Sequence, residues 1–397
     1  MPWVPPGADV PADSTLAGGA QSIRPAGTTP PRPPVRKAPF GTYATRSPRG
    51  GNVTDTLSVS AFDYPLPQHL IAQRPLPDRA ASRLLVLSRA TGAIEHRQFR
   101  DFPTLLAPGD VLVINTSRVI PARLTGRRSN GRPAELLLVH PEADGTWLAM
   151  VHPGGKLKTG RTVAFGDDAV AEVVDVVGGG LRRVRFSGQL DVQGVMARYG
   201  AVPLPPYITR PADEQDRDRY QTVFAREDGS VAAPTAGLHF TPELLQAIRE
   251  RVVVVTEVVL HVGPGTFKPV EVEDPAKHVM HAEWYQVPPA AAEAVNAARA
   301  SGHRVWAVGT TAVRTLETAA AAGPGVTAGS GWTDLFIRPP FTFRVVDAVL
   351  TNFHLPRSTL LMLVAAFAGY DHTMAAYREA IAREYRLYSY GDAMLVV

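Results

Sequence analysis

The sequence predicts an α/β fold: a mixed, largely parallel sheet body with an inserted small β-barrel domain. Three observations lead there. After Asp191, strand-like and helix-like segments alternate, which is the pattern of a sheet covered by helices. From Val119 to Ser187 the chain is instead a series of short alternating runs separated by turn signals, with no long helical pattern between them. The 397 residues are 45 % hydrophobic and 20 % charged, ordinary values for a globular chain with room for two or three domains. The expected division is residues 1–58 as a tail, 59–118 with 191–397 as the α/β body, and 119–190 as the insertion.

Residues 1–58 read as a disordered, Pro-rich, basic tail. The first fifty residues hold eleven prolines and few large apolar side chains, so they cannot bury enough surface to offset their ordering entropy. Six Arg or Lys stand against three acids there, so this segment carries +3 of the net charge of +4. Nucleic-acid binding by the remainder would need a local basic patch.

Order is expected from Val59. A helix is predicted around Pro67–Gln73, a strand over Arg83–Leu87, a turn at Thr91-Gly92, a short helix closing over Leu105–Gly109, and a buried strand over Asp110–Asn115. The insertion offers Ala134–His140, Thr146–Val151, Thr162–Phe165, Ala169–Val177 and Leu181–Phe186 as strands. Asn130-Gly131, Asp144-Gly145 and Gly178-Gly179-Gly180 are among the turns between them. Asp213–Tyr220 is a charge run with the look of a solvated helix face. Thr241-Pro242-Glu243 opens a helix: a capping hydroxyl, a proline at the first helical position and an acid at the positive end. Strands follow over Val252–His261, Arg304–Val308 and Asp347–Thr351, and helices over Pro289–Ala300, Thr311–Ala321, Ser358–Ala368 and Thr373–Tyr385.

The chain has no cysteine, which excludes disulfides, thiolate metal sites and cysteine nucleophiles. Its longest apolar run, Leu360–Gly369, is about half of what a bilayer-spanning helix needs. No signal peptide is readable. A cytoplasmic protein with no membrane association is expected.

Ligands of open α/β sheets collect beyond the carboxyl ends of the strands. Three polar loops follow three predicted strands: His261–Pro269 with Gly263 and Gly265, Gly309–Arg314 with Thr310 and Thr311, and Thr351–Ser358 with Asn352 and His354. A fourth segment, Ala233–Phe240 with Thr235 and His239, leads into a helix. If the strands are parallel, at least three of these loops share one edge, which points to a single site. Each has a plainer reading: the glycines as turn formers, the threonines as helix caps, the histidines as satisfied core residues. Histidine titrates near neutral pH, so four His-bearing segments (His239, His261, His281, His354) favour acid–base chemistry at one or two of them. Arg118, Arg123, Arg210, Arg219 and Arg314 suit carboxylate or phosphate recognition, with surface pairing as the alternative. Trp284, Tyr285, Trp332, Phe336, Phe341 and Phe343 are candidates to stack a purine, with core packing as the plainer role. No metal site is expected, because no spacing matches a metal motif and His278-x-x-His281 is too slight a signal.

Ordered blocks from about Ser60 to the C-terminus carry a family resemblance. They include Phe62–Pro67, Asp78–Leu84, Val119–Leu124, Pro203–Ile208, Arg219–Val223, Ala232–Phe240, Leu260–Val270, Val308–Glu317, Gly331–Asp334, Thr351–Met362 and Ser389–Leu395. On these blocks the chain resembles the S-adenosylmethionine:tRNA ribosyltransferase-isomerases of queuosine biosynthesis. Pro264 and Thr116 depart from the family's usual residues.

The resemblance implies a reaction. The ribosyl part of S-adenosylmethionine, a co-substrate, is transferred to 7-aminomethyl-7-deazaguanine at the tRNA wobble position and isomerised. Epoxyqueuosine-tRNA, adenine and methionine result. The partner is tRNA bearing that base, no metal is implied, and a monomer is expected. Such chemistry needs a proton donor to adenine (His239, His261 or His354) and a base for the carbon beside the sulfonium (Glu283 or a neutral histidine). It also needs a cation or helix N-terminus for the methionine carboxylate (Arg314 with Thr310 and Thr311). Asp334 or Asp392 would hold ribose hydroxyls or the amine. Arg118, Thr235, Gly263, Gly265 and Asn352 complete the expected substrate contacts. A non-catalytic RNA-binding paralogue and an S-adenosylmethionine-dependent methyltransferase are the competing readings.

Overall fold

A computed structural model describes residues 57–397, Lys268 excepted. All but the last two residues of the expected tail lie outside the described residues. The ordered chain starts with Val59, fully buried and tied by its N–H to the carbonyl of Glu273.

Arg83–Leu87 (β1) and Ile94–Gln98 (β2) form a hairpin across the expected turn, where Gly92 takes a φ of 73°. A 3-10 helix over Phe99–Leu105 leads to Val111–Asn115 (β3) and Ser117–Val119 (β4). The chain then leaves the body for Arg123–Arg128 (β5), Pro133–Pro141 (β6), Trp147–His152 (β7), Thr162–Phe165 (β8), Ala169–Gly178 (β9) and Leu181–Gly188 (β10). Helix Val192–Tyr199 (α1) and the short Gly200–Ala201 (β11) still pack on this sheet, with Val195 and Met196 in its core. Glu214–Arg219 (α2) and Glu227–Ser230 (β12) bring the chain back, and β12 pairs with β4. The remainder runs Pro242–Glu250 (α3), Val254–Leu260 (β13), Glu283–Val287 (β14), Pro289–Ala300 (α4), Val305–Val308 (β15) and Gly309–Ala319 (α5). It ends with Gly329–Thr333 (β16), Ala348–Asn352 (β17), Thr359–Ala368 (α6), Tyr370–Ala382 (α7) and Ala393–Val396 (β18).

The body is α/β with one mixed nine-stranded sheet, ordered β16-β14-β13-β3-β15-β17-β18-β1-β2. Side chains alternate between its faces. Val111, Val113, Val305 and Ala307 join one core cluster with α4, α5, α6 and α7; Leu112, Ile114, Trp306 and Val308 join a second with α3 and the Phe99–Leu105 turn. Covering both faces explains why these strands read as unbroken apolar runs. The sheet is less parallel than expected. β13–β3, β3–β15, β15–β17 and β18–β1 are parallel, while β16–β14, β14–β13, β17–β18 and β1–β2 are antiparallel. The C-terminal strand β18 is responsible for one reversal, since it slots between β17 and β1 in the middle of the sheet.

The insertion is a seven-stranded antiparallel sheet, ordered β11-β5-β6-β7-β10-β9-β8, around a core that includes Leu124, Leu136, Leu138, Val163 and Val184. Its last strand, β8, pairs back onto β5, the second in that order, only where Arg127 and Arg128 meet Ala164 and Val163. The expected barrel is thus corrected to an antiparallel sheet with a short seam.

Other expectations shift locally. Pro67–Gln73 holds only a 3-10 turn over Gln68–Leu70, and the helix near Leu105 ends there rather than at Gly109. The last helix starts at Tyr370, just after Gly369 takes a φ of 88° and breaks α6 from α7. The run Asp213–Tyr220 is not wholly solvated. Asp216 is buried, accepting hydrogen bonds from both Arg210 amino groups and from the Tyr390 hydroxyl. Burial alone would raise its pKa, yet those bonds and the Asp213 N–H hold it down to about 2.

Candidate functional site

The parallel strands β13, β3, β15 and β17 present their carboxyl ends along one edge. The loops beyond them, together with the 3-10 turn Thr235–His239 that packs on β17, enclose a small cavity of about 70 Å3. Thr235, Thr310, Thr311, Arg314, Asn352 and His354 all line it. Val262 and Thr266 of the His261–Pro269 loop line it too, so four segments far apart in sequence meet at one place.

Helix α5 aims its first turn at this cavity. Gly309, with a φ of 87°, makes the tight exit from β15, and no side chain caps the helix. Its free backbone N–H groups and positive dipole end suit a carboxylate or phosphate. The buried hydroxyl of Thr311 and carboxamide oxygen of Asn352 have no partner within the protein, so two polar groups in this wall are open to a ligand.

Glu283 opens β14 and Arg314 lies one turn into α5; their side chains form a buried ion pair. Glu283 Oε1 also accepts from the Gly263 N–H at 2.8 Å. The guanidinium donates further to the carbonyls of Leu335 and Thr333. Arg314 is thus held by its own neighbours rather than free for a substrate carboxylate. Glu283 also borders two adjoining cavities, of about 240 and 380 Å3. Gly263 lines the former and Gly265 the latter.

The three histidines are neutral at neutral pH. Burial pushes His239 and His354 down to about 3 and His261 down to about 4; Arg79 and Arg386 add to the effect at His239. His354 faces the small cavity, its Nε2 2.7 Å from the Thr351 hydroxyl. His239 sits behind it: Nδ1 is 2.9 Å from Ser82 Oγ, and Nε2 is 3.2 Å from Asn352 Nδ2. His261 belongs to the 240 Å3 cavity, with Nδ1 2.7 Å from Ser117 Oγ and its ring stacked on Trp284. None can serve as a pre-charged acid at neutral pH.

Three expected residues fall outside the cluster. Arg118 is exposed and paired with Asp228, and Asp334 is exposed. Asp392 is buried, but its carboxylate is spent on the backbone N–H groups of Arg83 and Arg386 and on the Arg83 side chain. Tyr207, Tyr220, Ser358, Tyr388 and Ser389 line the cavity and were not singled out from sequence. Tyr388 has a φ of 71° just before the Ser389–Leu395 block, but nothing in the residue string signals that.

A family model described as Queuosine biosynthesis protein matches residues 59–396. The chain belongs to this family. It is 52 % identical over 344 residues to the S-adenosylmethionine:tRNA ribosyltransferase-isomerase of Heliobacterium modesticaldum, covering 86 % of this chain and all of that protein. It is 54 % identical over 345 residues to the protein of the same name from Moorella thermoacetica, with the same coverage. The crystal structure of S-adenosylmethionine tRNA ribosyltransferase from Thermotoga maritima is similar, with a TM-score of 0.50 at 43 % identity, over 85 % of this chain and all of that one. Both curated relatives of the family are matched end to end, so the cavity and its loops all lie within the shared part.

Proposed function

We infer that this chain is an S-adenosylmethionine:tRNA ribosyltransferase-isomerase acting in queuosine biosynthesis. S-adenosylmethionine donates its ribosyl group to the amine of 7-aminomethyl-7-deazaguanine in tRNA, and adenine and methionine leave. The observation that carries this reading is identity above 50 % with enzymes of that name along their whole length.

The site geometry supports specific roles. The first turn of α5, with Thr310 and Thr311, receives the methionine carboxylate, since Arg314 is already engaged. Thr235 and the open oxygen of Asn352 take polar groups of the nucleoside. His354, neutral and facing the cavity, takes the proton released by the carbon beside the sulfonium and passes it to the nitrogen of departing adenine. Glu283, oriented by Arg314 and the Gly263 N–H, is the carboxylate at the junction of the cavities and the second candidate base. His239 positions Asn352 from behind, and His261 serves the neighbouring cavity. The catalytic body is 59–118 with the segment after the insertion, expected from residue 191 and moved here to about residue 201 because Val195 and Met196 of α1 pack in the insertion's core and β11 pairs with β5. Among the described residues no helix is long and apolar enough to cross a membrane. Work on tRNA in the cytoplasm, as a monomer, is part of the same proposal.

The test is incubation with labelled S-adenosylmethionine and tRNA carrying the aminomethyl base. Release of adenine and methionine in equal amounts is expected. Release of S-adenosylhomocysteine would show methyl transfer, and tRNA retention with no small product would show a binding protein; either overturns the reading.

A further inference from the structure

A concentration of positive charge adjoins the small cavity on the side of His239. Arg79, Arg219 and Arg386 bring it from three distant segments: the 3-10 turn Arg79–Ala81, the last residue of α2, and the loop between α7 and β18. Arg79 and Arg219 line a shallow notch of about 20 Å3 together with Ser82, His239 and Ser389. Ser389 also lines the small cavity, so the two hollows are neighbours. Arg386 stands close by, since its charge and that of Arg79 both act on His239. Among the described residues no carboxylate pairs with any of the three guanidiniums. Their acceptors are backbone carbonyls: Leu238 and Asp218 for Arg79, Leu76 and Pro77 for Arg219, and Arg74 for Arg386. Nε of Arg219 and Nη1 of Arg386 are buried with no acceptor. Burial pulls the Arg79 guanidinium below its ordinary range, and repulsion from Arg219 adds to that. The carboxylates nearby are engaged elsewhere. Asp78, on the rim, accepts from the Ala80 N–H and pairs with Arg100, while Asp216 holds Arg210 and Asp392 holds Arg83. Asp218 is exposed and gives Arg79 its carbonyl.

Like charges gathered in a partly buried place and answered only by neutral carbonyls favour an anion. Buried donors are nearly always paired, so the two open guanidinium nitrogens call for further acceptors. The fork of a guanidinium matches the oxygens of a phosphate. A hollow this small receives one compact group at its mouth and has no room for a ring. Arg219 suits phosphate recognition by type and has no part in the scheme above. We propose that this notch binds a phosphate group, and that the backbone of bound tRNA supplies it. The proposal rests on the function inferred above, in which a tRNA nucleotide is brought to the neighbouring cavity. A phosphate held by Arg79, Arg219 and Arg386 fixes the strand beside the reacting groups without reading its sequence.

Fluorescence anisotropy of tRNA binding at several salt concentrations tests it, beside steady-state adenine release, with wild-type protein, Arg219→Gln and Arg219→Lys. Arg219→Gln should raise Kd for tRNA about tenfold and lower the slope of log Kd against log salt by about one, with KM for S-adenosylmethionine within about twofold. Arg219→Lys should regain most of the affinity, because an ammonium still holds a phosphate as a point charge. Inorganic phosphate at constant ionic strength should compete with tRNA on the wild type and not on Arg219→Gln. Should Arg219→Gln fail to fold, Arg386→Gln carries the same test with the same expected losses. If Kd for tRNA and KM for S-adenosylmethionine rise together while the salt slope is unchanged, Arg219 only braces Leu76 and Pro77, and the proposal falls. It falls equally if the variant binds tRNA as the wild type does. Inorganic phosphate that raises Tm of the wild type alone, with tRNA binding unaltered by the variant, would make this a free-anion site and overturn the assignment to tRNA. A wild-type protein that shows the expected salt slope but releases no adenine would refute the function and leave the notch standing.

Discussion

At the scale of single residues, Glu283 and Arg314 carry the most consequence. Removing one member of a buried pair leaves the other charge uncompensated, at a cost of about 3–5 kcal/mol. Glu283→Gln is therefore expected to lower stability by that order in urea unfolding and to slow adenine release at least about 100-fold. Near-normal turnover would remove Glu283 from the chemistry. The histidines make a second prediction. In an unfolded chain imidazole titrates near 6.5, whereas burial holds His239 and His354 near 3 and His261 near 4. Between those values the unfolded chain binds protons that the folded chain does not. Stability is therefore complete above about pH 7 and is lost as pH falls through 6 toward 4. By pH 5 the loss is about 2 kcal/mol for each of the two fully buried rings. Thermal melts from pH 7.5 to 5 should show a falling Tm; a flat profile would contradict buried, neutral rings. Residue types were legible in the sequence and their engagement was not. Arg314 reads as a free cation until Glu283, Thr333 and Leu335 are seen around it, and Asp392 reads as a ligand until its backbone partners are counted.

At the scale of elements, the turn from β15 into α5 is the hinge of the site. Gly309 occupies the left-handed region, where an L side chain costs about 1–2 kcal/mol. Gly309→Ala is expected to lower unfolding stability by about that amount and to raise KM for S-adenosylmethionine severalfold, because the helix start would tilt. An unchanged KM would detach α5 from substrate binding. Long elements with strong signals, such as α4 and the Thr241-capped α3, were legible. β14, β16 and β18 were not. Gly329–Thr333 is glycine-rich and only half buried, and Ala393–Val396 is four residues at the chain's end, so neither has the length or alternation that marks a strand. Missing them hid the antiparallel flanks of the sheet and the ladder that brings Trp284 beside Trp332.

At the scale of the whole molecule, two sheets with separate cores meet beside a shared carboxylate. The curated relatives are matched along their whole length by 86 % of this chain, and the family model starts at residue 59. A protein beginning with Met followed by residues 57–397 should therefore keep its Tm within about 2 °C and its adenine release within about twofold, changes of well under 1 kcal/mol. A collapse of either would give the first 56 residues a role outside the shared domain. The α/β class could be read from the alternation of elements, while the seam and the strand order depend on pairings between distant segments. Body and insertion together serve the transfer of one ribosyl group from S-adenosylmethionine to one tRNA base. Mass analysis of the wobble nucleoside after reaction with S-adenosylmethionine tests it most directly. The mass of epoxyqueuosine is expected; a nucleoside that gains only a methyl group, or keeps the mass of the starting base, would refute ribosyl transfer.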